Sequence, residues 1–176
     1  GRDRAKTYLM ITNWTDHDYL NTYDIEVKEG RFLSREFSSD SSAAVINETA
    51  VKDFNLEDPL NTTFIMPGYF SEEPQEIRVV GVVKDFHLAS LRNPIRPSVF
   101  MLKKDWWDWG GYISLKLSRD KKSYRNTVSQ IEKTWQEFLP NEPFIFFFLD
   151  EKLESLYKEE IRTARISLTF SILAIL

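Results

Sequence analysis

The sequence predicts an α+β fold in which a β-rich subdomain is inserted into an α/β subdomain. Residues 112–149 follow a strand–helix–strand order of the βαβ type, whereas residues 28–105 hold short strands, one short helix and most of the prolines. A further helical pattern begins at Asp150 and continues to the last residue. We therefore expect an α/β subdomain over 1–27 and 106–150, an inserted β-rich subdomain over 28–105, and a long C-terminal helix over 151–176.

The first hundred residues contain five short runs of β-forming side chains. The predicted strands are Thr7–Thr12, Ala43–Ile46, Thr62–Met66, Ile77–Val83 and Ser98–Leu102. Gly81 interrupts the most β-branched of these runs, which indicates a bulge or a close approach of another backbone.

Two short helices are predicted between these strands. Tyr19–Tyr23 is the first, and Glu48–Phe54 is the second, with Asn47 as its N-cap. Asn55 is placed to end the second helix in a left-handed conformation, and Gly30 is expected at positive φ in a turn.

The second half of the chain supplies the strand–helix–strand order. Tyr112–Leu117 alternates as a half-buried strand does, and Phe144–Leu149 is uniformly apolar, which is typical of a strand covered on both faces. Between them, Lys121–Leu139 predicts a helix. Its apolar face consists of Tyr124, Val128, Ile131, Trp135 and Phe138.

The last helix changes character along its length. Asp150 is suited to be the N-cap, and an apolar stripe follows at helical spacing. The stripe includes Leu153, Tyr157 and Ile161, and the chain is then almost wholly apolar from Ile166 to Leu176. At 1.5 Å per residue this run covers about half of the roughly 30 Å that a membrane span requires. The pattern alone fits the start of a membrane span or a buried helix of a soluble domain.

Composition excludes several classes of function. The 176 residues carry a formal charge of −4, which argues against a nucleic-acid surface because such surfaces are basic. The chain has no cysteine, and therefore neither a disulfide framework nor a thiolate metal site.

Catalytic motifs are absent from the sequence. It contains no GxSxG, HExxH or Walker glycine loop. His17 lies between Asp16 and Asp18, but adjacent side chains point in different directions, so we expect no metal site there. For Asp85 and His87 we favour a structural hydrogen bond that organises the following loop.

Two other groups of residues are candidates for a ligand or partner contact. Trp106, Trp107 and Trp109 lie within four positions and could form a stacking platform, although packing over the edge of the core is the simpler interpretation. Arg92 and Arg96, interleaved with prolines, could present a small positive surface.

The order of several motifs resembles one family. The most specific run is VVGVVKDFHLASLRNPIRPSVF (79–100), and it is accompanied by EGRFLSREFSSD (29–40), AAVINETAVKDF (43–54) and FLDEKLESLYKEEIRTARISLTFSILAIL (148–176). Together they resemble the extracytoplasmic core domain of MacB-like, FtsX-family ABC transporter permeases. The chain is most similar to the large versions found in Bacteroidetes, and to the second such domain of a duplicated permease. Asn55 and Asn61 depart from the glycines expected around the Asp-Pro turn, and the tryptophan loop is not typical of the family.

The resemblance implies a fold and a setting. It implies a membrane-proximal, porter-like subdomain with βαβ elements, an inserted sabre-like β-rich subdomain, and a stalk helix entering a transmembrane segment. It places the domain on the periplasmic side of the inner membrane, in a permease that works with a second permease copy and a separate cytoplasmic ATPase. It implies no catalysis in this domain, and the residues themselves lead us to expect neither a cofactor nor a metal site.

The same resemblance leads to a functional expectation. The domain would transmit ATPase-driven motion and contact a periplasmic protein or peptide in export, efflux, lipoprotein or cell-envelope processes. The alternative is a ligand-binding sensor that uses the loop from Trp106 to Trp109. A hydrolase is a third hypothesis, which the missing catalytic motifs disfavour.

Overall fold

A computed structural model describes residues 7–67, 73–87, 93–102, 111–117, 124–152 and 154. The chain divides into two compact units. We name residues 1–87 with 94–116 the sheet unit, and residues 88–93 with 117–176 the helix unit.

The sheet unit is built on one mixed sheet of six strands. The strands are β1 (Ile11–Thr15), β2 (Val27–Gly30), β3 (Ala43–Asn47), β4 (Thr63–Met66), β5 (Gln75–Val83) and β6 (Ser98–Leu102). Their order is β1-β6-β3-β5-β2, and β4 pairs with the first half of β5. The pairs β1–β6 and β3–β5 are parallel, whereas β3–β6, β2–β5 and β4–β5 are antiparallel.

Helices complete the two units. The sheet unit contains α1 (Tyr19–Tyr23) and α2 (Glu48–Asp53), and the helix unit contains α3 (Tyr124–Phe138). Two turns of 3-10 helix, Ser38–Ser42 and Pro59–Asn61, precede β3 and β4. Helices together with a mixed sheet confirm the predicted α+β class.

Each face of the sheet buries its own apolar cluster. The first cluster includes Ala44, Ile46, Ala50, Ile77, Val79, Val82, Val99 and Met101. The second cluster includes Ile25, Leu33, Ala43, Val45, Val83 and Phe100. Val51 and Phe54, from α2 and the position after it, pack on the first cluster, and Tyr19 and Leu20 of α1 pack on the second. Because both faces are covered, the central strands contain apolar residues in nearly every position.

A β-bulge in β5 sets which residues reach which cluster. Along the parallel pair, Ala44 lies opposite Val79 but Val45 lies opposite Gly81, so Val80 is skipped. A bulge inserts one residue and thereby reverses the alternation of side chains beyond it.

The reversal is visible in the two clusters. Val79 and Val82, three residues apart, both belong to the first cluster, whereas Val83 belongs to the second. A regular strand would place Val79 and Val82 on opposite faces. The sequence predicted a bulge or a close approach of another backbone at Gly81, and both are present. The bulge is the skipped Val80, and the close approach is that of Arg31, whose carbonyl oxygen would lie 2.0 Å from a Cβ added to Gly81.

Most predicted elements of the sheet unit are confirmed, with small shifts at their ends. Asn47 caps α2 by accepting a hydrogen bond from Ala50 N, and Asn55 has φ 52°. Gly30 has φ 70°. The first strand is the exception: it covers Ile11–Thr15 instead of the predicted Thr7–Thr12, because its ladder with β6 runs from the Ile11–Ser98 pair to the Thr15–Leu102 pair.

In the helix unit, α3 confirms the predicted helix. The described part runs over Tyr124–Phe138, and no residue of it is fully buried. An aromatic row packs beside it: the ring centroids of Trp135 and Phe144 are 6.2 Å apart, and those of Tyr124 and Phe148 are 6.0 Å apart. Phe138, predicted on the same face, is instead exposed.

The two strand predictions on either side of α3 are wrong for the residues described. Neither Tyr112–Leu117 nor Phe144–Leu149 forms a ladder with a described strand. The residues in both runs are of types that favour β-strands. A strand also needs a neighbouring strand to pair with its backbone N–H and C=O groups. Within the sheet unit, Ser114 Oγ instead lies 2.6 Å from the hydroxyl of Tyr23 on α1. The domain boundaries proposed from the sequence stay a prediction.

Candidate partner-contact site

Asn47, at the end of β3, connects three parts of the sheet unit with one buried side chain. Its Oδ1 accepts from Ala50 N at 3.1 Å and from Ser98 N at 2.9 Å. Its Nδ2 donates to Asp85 Oδ1 at 2.8 Å and to the carbonyl of Arg96 at 3.1 Å. The start of α2, the residues after β5 and the start of β6 are thereby held at one point.

Asp85 is the second centre of this group. It accepts from Thr49 N at 3.0 Å and from Thr49 Oγ1 at 2.7 Å. Its own amide donates to Glu48 Oε2 at 3.1 Å. We name the group formed by Asn47, Glu48, Thr49, Asp85, Arg96 and Ser98 the Asp85 junction. Asp85 makes structural hydrogen bonds to Asn47 and to the first turn of α2. The predicted organisation of the loop that follows it stays a prediction, since residues 88–92 lie outside the described residues.

An ion pair extends the Asp85 junction to β2. Lys28 Nζ lies 2.5 Å from Glu48 Oε1. The hydrogen bond from Lys28 is the largest cause that lowers the pKa of Glu48, and the same bond raises the pKa of Lys28. Both groups are therefore held in their charged forms across the neutral range. They stabilise the edge of the junction, and neither is poised to exchange a proton near neutral pH.

The Asp85 junction closes the base of the segment that joins β5 to β6. Asp85 and Arg96 lie near the two ends of this segment, and the side chain of Asn47 bonds to both. The carbonyl of Arg96 is thus fixed while its side chain is exposed. Of the predicted contact residues, Arg92, Trp106, Trp107 and Trp109 lie outside the described residues.

A second polar site, which sequence reasoning missed, fixes the loop between β2 and β3. Asp40 is only 1% exposed, and Arg31 binds it through both nitrogens, with Nη1–Oδ2 2.6 Å and Nη2–Oδ1 2.8 Å. Ser34 N donates to the same carboxylate at 2.8 Å, and the Arg31 guanidinium lies 3.9 Å from the centroid of the Phe37 ring. No periodic pattern links these residues, so the pairing had no sequence signal.

The environment of Asp40 favours its ionised form. Burial alone would raise its pKa, but the hydrogen bonds from Arg31 and from the Ser34 amide outweigh this effect and lower the pKa below its usual value. Burial raises the pKa of Tyr19 to about 12, so its hydroxyl stays protonated.

The described residues show little that resembles catalytic or metal chemistry. Within these ranges, no three His, Cys, Asp or Glu side chains are grouped so that they could bind a metal ion. His17 and His87 belong to the described part, and neither joins the Asp85 junction.

The start of the predicted stalk is described only as far as residue 154. The predicted N-cap is wrong: the helix begins at Leu149, and Lys152 N donates to the carbonyl of Phe148 at 3.0 Å, so Asp150 already lies within the first turn. Its Oδ1 accepts from the next amide, Glu151 N, at 2.9 Å. The other predicted stalk residues lie outside the described residues: Leu153, Tyr157, Ile161, Ile166 and Leu176. Every helix in the described ranges is too short or too polar for a membrane span.

The family model of the MacB-like periplasmic core domain matches residues 1–133. A domain of a protein assigned as a permease from Porphyromonas gingivalis has a similar structure, with a TM-score of 0.51 and 17% identity, covering 86% of this chain and 74% of that one. This likeness shows a shared fold.

A second solved structure is the periplasmic region of MacB from Actinobacillus actinomycetemcomitans. It has a TM-score of 0.44 and 20% identity, over 72% of this chain. The chain spans 64% of the length of that structure. No curated protein sequence matches significantly.

Proposed function

The chain belongs to the MacB-like periplasmic core domain family, and we propose that it transmits ATPase-driven motion within an ABC transporter permease. The family is one of periplasmic domains, which gives the chain an extracytoplasmic position. The motion would start at a separate cytoplasmic ATPase, pass through helices in the inner membrane and reach this domain. In this proposal the domain performs no reaction of its own.

The Asp85 junction is the observation that carries this proposal. A protein element transmits a displacement only if it is itself rigid. Asn47 binds α2, the residues after β5 and the start of β6 simultaneously, and it is only 2% exposed. Networks whose buried polar groups are all paired make a structure more rigid. The buried clusters on both sheet faces favour the same behaviour.

The proposal also includes the partners of the domain. Two copies of the permease would work together. The surface of this domain that lies away from the membrane would contact a periplasmic protein or peptide. Arg96 supports a contact role for the segment between β5 and β6, since its backbone is anchored and its side chain is exposed. An anchored backbone reduces the conformational entropy that a contact residue loses on binding.

A flexible insertion tests the transmission of motion. We expect a Gly/Ser linker inserted after Asp150 in the full permease to abolish transport while ATP hydrolysis continues. The matched control is the same linker inserted after Glu57, an exposed bend between α2 and β4, where transport should be retained. Unchanged transport with the Asp150 insertion, in a protein that reaches the membrane normally, would refute the proposal.

A further inference from the structure

Residues 112–116, which we name the strap, are the last part of the sheet unit before the chain passes into the helix unit at residue 117. Within the described ranges they form neither a helix nor a ladder with another strand. Two of their apolar side chains lie largely in solvent, since Ile113 is 79% exposed and Leu115 is 57% exposed. Burial of these two side chains therefore contributes little to holding the strap in place.

Polar side chains at the alternate positions attach the strap to α1. Ser114 Oγ lies 2.6 Å from the hydroxyl of Tyr23. Lys116 Nζ pairs with Asp24 Oδ1, directly after the helix, and donates to the carbonyl of Asn21 at 3.4 Å. Lysine near the C-terminus of a helix commonly binds the last carbonyl groups in this way. Both attachments thus lie on one short helix, which packs on the second cluster of the sheet unit.

The attachments of the strap are weak because they are exposed. In the ion pair, the side chain of Lys116 is 51% exposed and that of Asp24 is 76% exposed. Water and salt screen exposed ion pairs, which therefore contribute little to stability. The Asp85 junction differs, because the Asn47 side chain at its centre is buried. Segments held by exposed contacts open at a much lower free energy than the core, so the strap is the part of the sheet unit that opens first.

We propose that the strap is a releasable attachment, which leaves α1 during the transport cycle and binds it again afterwards. This inference rests on the proposed function, in which motion passes between membrane helices and this domain. A displacement of the helix unit pulls on the chain at residue 117, and the exposed contacts of Ser114 and Lys116 break before the buried clusters open. Five released residues span at most about 17 Å, which sets the scale of the movement that the strap accommodates while the core of the sheet unit stays rigid.

Carbodiimide cross-linking of the unmodified full permease with its ATPase tests the release. The reagent joins a lysine amine to a carboxylate only when the two groups are in contact, so it reports the Lys116–Asp24 pair. The matched control is the exposed pair of Lys84 and Glu26, 2.8 Å apart, which joins the ends of β5 and β2. We expect both cross-links without nucleotide. During ATP turnover the Lys116–Asp24 yield, measured by mass spectrometry, should fall while the control yield stays constant. An unchanged ratio of the two yields would refute the release.

Locking the strap tests whether its release is needed for transport. Tyr23→Cys and Ser114→Cys introduce the only two cysteines of this chain, and a short bismaleimide that contains a cleavable disulfide joins them. We expect the cross-linked full permease to lose transport while ATP hydrolysis continues, and cleavage of the reagent to restore transport. The same treatment of a Glu26→Cys and Lys84→Cys variant should leave transport unchanged.

Two results of the locking experiment would overturn the proposal. Transport that persists with the strap locked would show that the attachment is permanent, and cysteines that do not cross-link would show that the strap does not lie on α1. The carbodiimide measurement needs no substitution, so it stays decisive if the cysteine variant folds poorly. The Gly/Ser linker after Asp150 leaves the strap intact and decides the proposed function independently.

Discussion

The sheet unit and the helix unit each contain a strongly apolar run, and the two runs have different environments. In the sheet unit, IRVVGVV (77–83) lies in β5, where Val79 is fully buried. In the helix unit, FIFFFL (144–149) is more apolar, yet Ile145 is 82% exposed. Apolar content therefore does not determine which run becomes core.

The difference lies in the neighbours of each run. β5 has β3 on one side and both β2 and β4 on the other, and helices or loops cover its two faces. Residues 144–149 pack one side against α3 through aromatic rings, and the described residues provide no strand beside them. A strand contributes to stability through cross-strand pairs and coverage, both of which depend on other segments.

Truncation of one large side chain in each unit should give the largest contrast. Phe100→Ala removes a ring from the second cluster, and we expect the free energy of unfolding to fall by about 3–5 kcal/mol. The control Ile145→Ala should change it by less than about 0.5 kcal/mol. Denaturant unfolding followed by circular dichroism measures both. A similar loss for the two variants would mean that residues 144–149 are as well packed as β6.

Asn47→Ala examines whether the sheet unit depends on its polar junction as well as on apolar packing. The variant leaves the amides of Ala50 and Ser98 without their acceptor, and the expected loss is about 3 kcal/mol because unsatisfied buried groups are costly. Asn21→Ala, at an exposed position on α1, is the matched control and should cost less than about 0.5 kcal/mol. Equal, small effects for the two variants would show that the junction contributes little to stability.

Asp40→Asn should produce a smaller effect that depends on pH. The folded protein lowers the pKa of Asp40, so the ionised group stabilises the fold above its unfolded pKa, near 4. At neutral pH we expect the variant to be less stable by about 2 kcal/mol, because charge-assisted hydrogen bonds are lost. This difference should shrink as pH falls below about 4 towards the folded pKa. A difference that stays constant from pH 6 to pH 2 would contradict the assignment.

The sequence predicted those features of the sheet unit that depend on local chemistry. Asn47 as an N-cap, Asn55 and Gly30 at positive φ, and the irregularity at Gly81 each follow from the properties of one residue. The family resemblance, carried by the run from Val79 to Phe100, was likewise confirmed by the family model.

Features that depend on distant residues were not predictable in the same way. The pairing of Arg31 with Asp40 depends on how the loop between β2 and β3 closes on itself, and the contact of Asn47 with Arg96 arises when separate segments fold together. Periodicity does not encode such contacts. The two wrong strands flanking α3 have the same origin, because a β-forming run carries no information about whether a partner strand is present.

The bulge at Val80 determines the phase in which the side chains of β5 alternate between the two faces of the sheet. Side chains before the bulge alternate in one phase and side chains after it alternate in the opposite phase. Both halves of β5 still pair with β3, because the ladder skips one residue. If the ladder did not skip Val80, Val82 and Val83 would exchange clusters, although no apolar residue had been replaced by a polar one. Deleting Val80 would instead remove the bulge and leave Val79 and Val82 two positions apart on the same face, so β5 can lose this one residue without any change of cluster.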